Sequence, residues 1–241
     1  MIKLNEKIAK LKEMISKSEN IVFFGGAGVS TESGIPDFRS EDGIYNQEWT
    51  YPPETIMTYS FFRSNPEEFY RFSHERGINF NVEPNRTHIR LTELEQEGKL
   101  KAVITQNVDG LHQKAGSKNV LELHGSLHRA YCTSCHKEHP ASVTRIKGQV
   151  PRCECGGVIR SDVVLFGEPL NPSVIARSVD YIEKADMLIV GGTSLGVYPA
   201  AGLIRYYRGN KLVLINLAPT PYDSHADLII NEKIGEVFAQ I

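Results

Sequence analysis

The feature that most restricts this chain is a recurring one: short apolar, β-prone runs that each stop at small or polar residues. Ile21-Val22-Phe23-Phe24 stops at Gly25-Gly26-Ala27-Gly28, residues 101–105 run into Gln106-Asn107-Val108-Asp109, and Val120-Leu121-Glu122-Leu123 runs into His124-Gly125. Met187-Leu188-Ile189-Val190 stops at Gly191-Gly192-Thr193-Ser194, and Leu212-Val213-Leu214-Ile215 stops at Asn216. A strand that is apolar on both faces must be covered on both, which is the pattern of buried parallel strands. Helical spacing fills the intervals. Leu4, Ile8, Leu11 and Ile15 line one face of an N-terminal helix, and residues 66–76, 84–97 and 174–184 read as further helices. Strands alternating with helices predict an α/β fold, a doubly wound parallel sheet with helices on both faces. Open sheets of this kind bind ligands at the carboxyl ends of their strands, so the polar run-ends belong to one predicted site.

Two segments break the alternation. Residues 40–84 hold the only Trp, many of the Tyr and Phe residues and Pro52-Pro53, and read as a helical insertion with its own small core. Residues 129–158 carry all four cysteines. Cys132-Thr133-Ser134-Cys135 and Cys153-Glu154-Cys155, with residues 136–152 between them, have the spacing of a four-thiolate zinc site, with His136 and His139 as reserve ligands. Four protein ligands leave no open coordination position, so such a zinc is structural. The alternative, a redox pair, lacks a thioredoxin-like setting around Cys132. The 241 residues then form one domain: 1–39, 85–128 and 159–241 build the sheet, 40–84 the helical insertion and 129–158 the zinc module. With 27 Lys and Arg against 29 Asp and Glu, the formal charge of −2 argues against nucleic acid as a partner. The apolar runs are too short to span a bilayer and the first residues lack a signal-peptide core, so no membrane partner and a cytoplasmic location are expected.

Each run-end has a functional and a plain structural reading. Gly26-Ala27-Gly28-Val29-Ser30-Thr31 follows a strand and is expected to open a helix whose amides and dipole hold a pyrophosphate. It departs from G-x-G-x-x-G, because Thr31 stands at the third glycine, and a tight turn is the alternative. The continuation Gly34-Ile35-Pro36-Asp37-Phe38-Arg39 sets a carboxylate, a ring and a guanidinium beside it. Gln106-Asn107-Val108-Asp109 suits an amide-bearing ligand or ribose hydroxyls, or else an Asn/Asp turn. His124 reads as a general base or as a satisfied structural residue. Gly192-Thr193-Ser194 and Asn216 suit phosphate or ribose, or plain strand-to-helix turns.

Taken in order, these motifs resemble the sirtuin family of NAD-dependent protein lysine deacylases. They are Gly26-Ala27-Gly28-Val29-Ser30, Gly34-Ile35-Pro36-Asp37-Phe38-Arg39, Thr105-Gln106-Asn107-Val108-Asp109, Leu123-His124-Gly125, the four cysteines, Phe166-Gly167-Glu168, Gly192-Thr193-Ser194-Leu195 and Ile215-Asn216-Leu217. The resemblance covers nearly the whole chain and implies a compact bacterial-type member: a Rossmann-like sheet, NAD as co-substrate, a structural Zn2+ held by Cys132, Cys135, Cys153 and Cys155, acetylated-lysine proteins or peptides as partners, and a monomer. It implies that Ala27, Thr31, Phe38 and Arg39 line the NAD pocket, with Gln106, Thr193 and Ser194 on ribose and phosphates. Asn216 and Ile234 would meet the adenosine end. Asn107, Val108 and Asp109 look like the nicotinamide pocket and His124 like the general base. Val164, Phe166, Gly167, Glu168 and Val197 resemble the segments between which a substrate peptide adds as an extended strand. The implied reaction sends the acyl-lysine oxygen to C1′ of the nicotinamide ribose as nicotinamide leaves; the 2′-oxygen then attacks the imidate, and water releases free lysine and O-acyl-ADP-ribose.

Family members that remove succinyl or malonyl groups resemble one another in a Tyr-x-x-Arg pair. Here Tyr70 is followed three residues on by Ser73, with Arg71 and Arg76 out of register, so neutral acyl groups such as acetyl are expected. Two other readings stand beside deacylation: mono-ADP-ribosyl transfer from the same NAD cleavage, and a non-catalytic zinc-ribbon module that binds nucleic acid or senses NAD. The absence of a stacked-aromatic platform argues against nucleic acid, and a pure sensor has no use for His124.

Overall fold

The computed structural model describes residues 3–38, 43–76 and 80–241. Its strands are β1 (Ile21–Gly25), β2 (Leu100–Thr105), β3 (Val120–Glu122), β4 (Gly125–Cys132), β5 (Glu138–His139), β6 (Ile159–Val163), β7 (Met187–Gly191), β8 (Leu212–Ile215) and β9 (Leu228–Ile230). The helices are α1 (Leu4–Ser16), α2 (Pro53–Ile56), α3 (Tyr59–Ser64), α4 (Pro66–Glu75), α5 (Arg86–Gln96), α6 (Leu111–Ala115), α7 (Pro172–Lys184) and α8 (Ile234–Phe238). Six parallel strands form one sheet in the order β3-β2-β1-β7-β8-β9. All five strands expected from the apolar runs are in it. The sixth, β9, has three residues, too few for an apolar run to stand out.

Side-chain alternation divides this sheet between two cores. Ile21 and Phe23 of β1 face the side covered by α1, α5 and α8, where Leu11, Leu91, Leu94, Val237 and Phe238 are buried. Val22 and Phe24 face the other side, where Ile182 of α7 and the 3-10 segment Ala200–Tyr206 pack. Both faces are covered, which is why β1 and β7 can be buried along their full length. Each fully buried Leu, Ile or Phe contributes roughly 1.5–3 kcal/mol.

The order of strands places a topological switch between β1 and β7, the general position of a ligand crevice in open α/β sheets. The registers pair Glu122 with Thr105, Thr105 with Gly25, Gly25 with Gly191, Gly191 with Ile215 and Ile215 with Ile230. The carboxyl ends therefore form one level rim.

The loop after β1 departs from expectation. It forms two 3-10 turns, Ala27–Val29 and Thr31–Ser33, instead of opening an α-helix. The Val29 carbonyl, which an α-helix would offer to the Ser33 amide, instead accepts from Asn85 Nδ2 at 2.7 Å, and the Ser33 amide turns to the Ser30 carbonyl. The amides of Gly28, Val29 and Ser30 bond to Gly192, Gly26 and Ala27 carbonyls, so a helix N-terminal phosphate cradle is not formed here.

Residues 43–76 carry α2, α3 and α4 around a small cluster of Ile44, Ile56 and Phe72, against which Trp49 and Phe61 pack. Residues 40–42 and 77–79 lie outside the described residues. A second sheet, β5-β4-β6, is antiparallel and ends at the cysteines. Among the described residues, no helix is long and apolar enough to cross a membrane.

Beneath α5 and α6 lies a buried histidine pair. His88 and His112 are 0% and 1% exposed, with ring centroids 4.7 Å apart. His88 Nδ1 accepts the Asn85 amide, so this ring is held neutral by the bond that caps α5. Burial pushes His88 down to about 4, and burial with the neighbouring His88 pushes His112 down too. A group whose folded-state pKa is depressed binds fewer protons folded than unfolded, so stability falls as pH drops from about 6.5 through about 4. Thermal midpoints should decline across that window, and less steeply in His112→Phe. Equal slopes in the two proteins would refute the assignment.

Candidate functional site

The rim above β1 and β7 is set by two backbones in close contact. The Gly28 amide donates to the Gly192 carbonyl at 2.8 Å. A Cβ on Gly28 would lie 2.9 Å from Gly192 Cα, and one on Gly192, whose φ is +59°, would lie 2.4 Å from the Val29 amide nitrogen. Glycine is required at both positions. Thr193 follows, and its Oγ1 accepts from Gln106 Nε2 at 3.0 Å and from the Leu195 amide. The Gln106 amide returns to the Gly25 carbonyl, so the ends of β2, β1 and β7 are laced together.

His124 stands at the end of β3, half-buried, with Nδ1 3.0 Å from the Gln106 carbonyl oxygen. A carbonyl can only accept, so Nδ1 carries the proton and Nε2 presents a lone pair. Burial lowers the His124 pKa, opposed by the Gln106 bond. The ring is therefore neutral at neutral pH, in the tautomer a base needs.

A hydrogen-bonded chain runs beside it. Asn107 Nδ2 donates to Ser30 Oγ at 3.0 Å, and Ser30 Oγ donates to Asp109 Oδ2 at 2.7 Å. Asp109 Oδ1 accepts the Leu111 amide at 2.9 Å. Burial pushes the Asp109 carboxyl up, while the Leu111 amide and the Ser30 hydroxyl draw it back. Each carboxylate oxygen keeps a second lone pair for a ligand. The Val108 carbonyl accepts the Leu127 amide, which ties this loop to β4. Ser30 is a member of this chain that the sequence reading left without a role, although it lies inside the motif Gly26-Ala27-Gly28-Val29-Ser30. Asn85, the cap of α5, holds the loop after β1 from outside this hydrogen-bonded chain, and is signalled by an Asn just ahead of a helical pattern.

Other sequence-predicted residues lie around this centre. Ala27 is half-buried and Thr31 exposed, its Oγ1 donating to the Gly28 carbonyl. Phe38 packs with Tyr45, ring centroids 5.7 Å apart, on the core of residues 43–76. Arg39 lies outside the described residues. Ser194 is exposed, and Asn216 Nδ2 donates to the Ala218 carbonyl at the end of β8. Ile234 is buried against Gly191.

The predicted peptide segment begins beside the base. The Val164 amide donates to the His124 carbonyl at 2.9 Å. Phe166, 42% exposed, pairs through its backbone with Met57 and Tyr59, and Gly167 has a φ of +88°. Glu168 differs from a free contact residue: its carboxylate takes Arg160 in a two-pronged ion pair and the Leu165 amide. Arg160 is 3% exposed, so this pair shapes the segment from below. Val197 lies across the rim, half-buried, its carbonyl accepting the Ala201 amide.

A cavity of about 240 Å³ separates residues 57–76 from the second sheet, with Tyr70, Ser73, Arg76, Arg145, Val163 and Leu165 among its lining. Arg71 is engaged by Glu68 and Glu75. Arg76, out of register in the sequence, lines this cavity together with Tyr70 and Ser73. Tyr70 itself donates to the Ile159 carbonyl.

Cys132, Cys135, Cys153 and Cys155 converge, with all four Sγ atoms within 4.8 Å of one another. The Cys132–Cys155 and Cys135–Cys153 separations are 3.4 and 3.8 Å. Thiolates about 2.3 Å from a tetrahedral zinc stand about 3.8 Å apart, so the donor set fits zinc, and the Ser134 amide points at Cys132 Sγ. His136 and His139, the reserve ligands, are not part of the cluster.

The model of the Sir2 family matches residues 26–199. An NAD-dependent protein deacetylase of Clostridium perfringens is 56% identical over 99% of both chains. A solved Sir2 enzyme, studied for its mechanism and regulation, superposes with a TM-score of 0.89 at 43% identity, over 97% of this chain and 95% of its own. A Sir2 complex with a p53 peptide and NAD+ gives a TM-score of 0.85 at 39% identity, over 99% and 97%.

Metal analysis of the purified protein should give about one zinc per chain. Cys153→Ser should lose the metal and expose β4, β5 and β6 to proteolysis while the parallel sheet stays folded. Retention of zinc in that variant would refute the ligand assignment.

Proposed function

Because this chain belongs to the Sir2 family, we propose that it is an NAD-dependent protein lysine deacetylase, moving the acetyl group of an acetyl-lysine peptide to ADP-ribose and releasing nicotinamide. The observation that carries the reading is the tautomer of His124: Nδ1 held by the Gln106 carbonyl, Nε2 bare, at the strand ends where Gln106 meets Thr193. The names of the relatives support it, as does the presence of NAD+ and peptide in the Sir2 complex. When bound, NAD supplies the leaving nicotinamide and the ribose carbon that takes the acyl oxygen.

The protein's tasks are to bind, orient, exclude water and move one proton. Asp109 accepts from the carboxamide NH₂, with Asn107 and Val108 beside it; Ser30 ties Asn107 to Asp109 and so fixes both. Gln106, Thr193 and Ser194 take ribose and phosphates, and Asn216 and Ile234 the adenosine end. Ala27, Thr31 and Phe38 line the pocket. The peptide lies along Val164, Phe166 and Gly167 opposite Val197, while Glu168 holds that segment through Arg160. With NAD bound, His124 Nε2 would accept a proton from the ribose hydroxyls.

Incubation with an acetyl-lysine peptide should give NAD-dependent loss of acetyl with one nicotinamide per event; a gain of ADP-ribose mass on protein would instead favour transferase action. A positioned base is worth a factor of roughly 10² to 10⁴, so His124→Ala should lose that much kcat with an unchanged circular dichroism spectrum. Near-full deacetylation by the variant would remove His124 from the role. Because burial lowers the His124 pKa, the base stays neutral as pH falls past the ordinary histidine value. The acid limb of kcat/KM should therefore inflect below about 6.5, and an inflection above that value would contradict the assignment.

A further inference from the structure

The loop after β1 and the C-terminal helix are joined by one side chain. Glu32 lies in the turn Thr31–Ser33, and its Oε2 accepts the Gly235 amide at 2.6 Å across a sequence separation of 203. Gly235 is in the first turn of α8, where backbone amides have no acceptor within the helix. Lys233, at the N-cap position, makes no side-chain cap, so the helix is capped from the other end of the chain. A carboxylate at that end also meets the positive end of the helix dipole. Gly235 is buried against the Glu32 carboxylate, and a Cβ there would stand 2.5 Å from Glu32 Oε2.

Both ends of this link are anchored. Phe238 of α8 packs edge-on against Phe23 of β1, ring centroids 6.0 Å apart. Ile234 lies over the end of β7, where its Cδ1 would come within 2.2 Å of a Cβ on Gly191. On the opposite side of the loop, Asn85 Nδ2 holds the Val29 carbonyl and Ser33 Oγ. Glu32 thus fixes the distance between the Thr31 turn and Ile234, two sides of the proposed NAD crevice.

We propose that Glu32 is a positioning residue that couples the C-terminal helix to the loop after β1, and so sets affinity for NAD without entering the acyl-transfer step. The proposal rests on the deacetylase reading above. Glu32 itself is solvent-exposed, so replacing it opens no core.

The test is steady-state deacetylation of an acetyl-lysine peptide by the wild type, Glu32→Ala, Glu32→Gln and Gly235→Ala, together with calorimetric titration of each with NAD alone. Glu32→Ala should raise KM and Kd for NAD about tenfold, the equivalent of about 1.4 kcal/mol, with kcat at saturating NAD and KM for peptide within about twofold. Glu32→Gln keeps an oxygen that accepts the Gly235 amide and should recover most of the affinity. Gly235→Ala sets a methyl against the movable carboxylate of Glu32 and should keep NAD affinity within about twofold of the wild type. An unchanged KM and Kd for NAD in Glu32→Ala, a fall in kcat alone, or a Glu32→Gln variant as impaired as Glu32→Ala would each overturn the proposal. A wild-type protein that binds NAD but releases no nicotinamide would overturn the deacetylase reading instead, and the calorimetric ratios would still decide the role of Glu32.

Discussion

The contact on which the rest of the structure depends is the meeting of two backbones, Gly28 and Gly192, at the junction of β1 and β7. No side chain fits between them, so the loops after the two central strands close into one surface rather than two. From that surface the in-register strand ends spread outward to Glu122 on one side and Ile230 on the other. The same closeness denies the loop after β1 a regular helix. Its carbonyls and amides are shared out among Gly192, Asn85 and its own 3-10 turns.

A loop of that kind would be floppy if left alone, yet it is held from every side by polar groups. Asn85 holds it from α5, Glu32 reaches from it to α8, and Ser30 joins it to Asn107 and Asp109. These buried and part-buried hydrogen bonds tie the loop to α5, to α8 and to the end of β2. His124 belongs to the same construction: the Gln106 carbonyl chooses its tautomer, and burial keeps it neutral. The four-cysteine module stands apart from this centre and contributes a fixed wall, with β4 carrying Cys132 at one end and leaving the rim through Gly125 at the other.

The sheet was legible because each core strand is apolar on both faces, and the helices were legible from their spacing, as α1, α4, α5 and α7 attest. The cysteine pairs announced a metal site because chelation by thiolates demands close spacing within each pair. Three features escaped. β9 is three residues long, the loop after β1 takes its form from Asn85, and Arg76 reaches the cavity beside Tyr70 despite standing out of register. Each depends on a partner distant in sequence, which no local pattern records.

The amino-acid sequence by itself determined the parallel α/β architecture, the position of the polar rim and the metal-binding chemistry, because hydrophobic periodicity and ligand spacing act over a few residues. Only the tertiary structure decided which polar groups meet there. That His124 presents Nε2, that Ser30 bridges Asn107 and Asp109, and that Glu32 caps a helix 203 residues away are all long-range hydrogen bonds. Their partners are brought together by the burial of the sheet and not by anything adjacent in the chain.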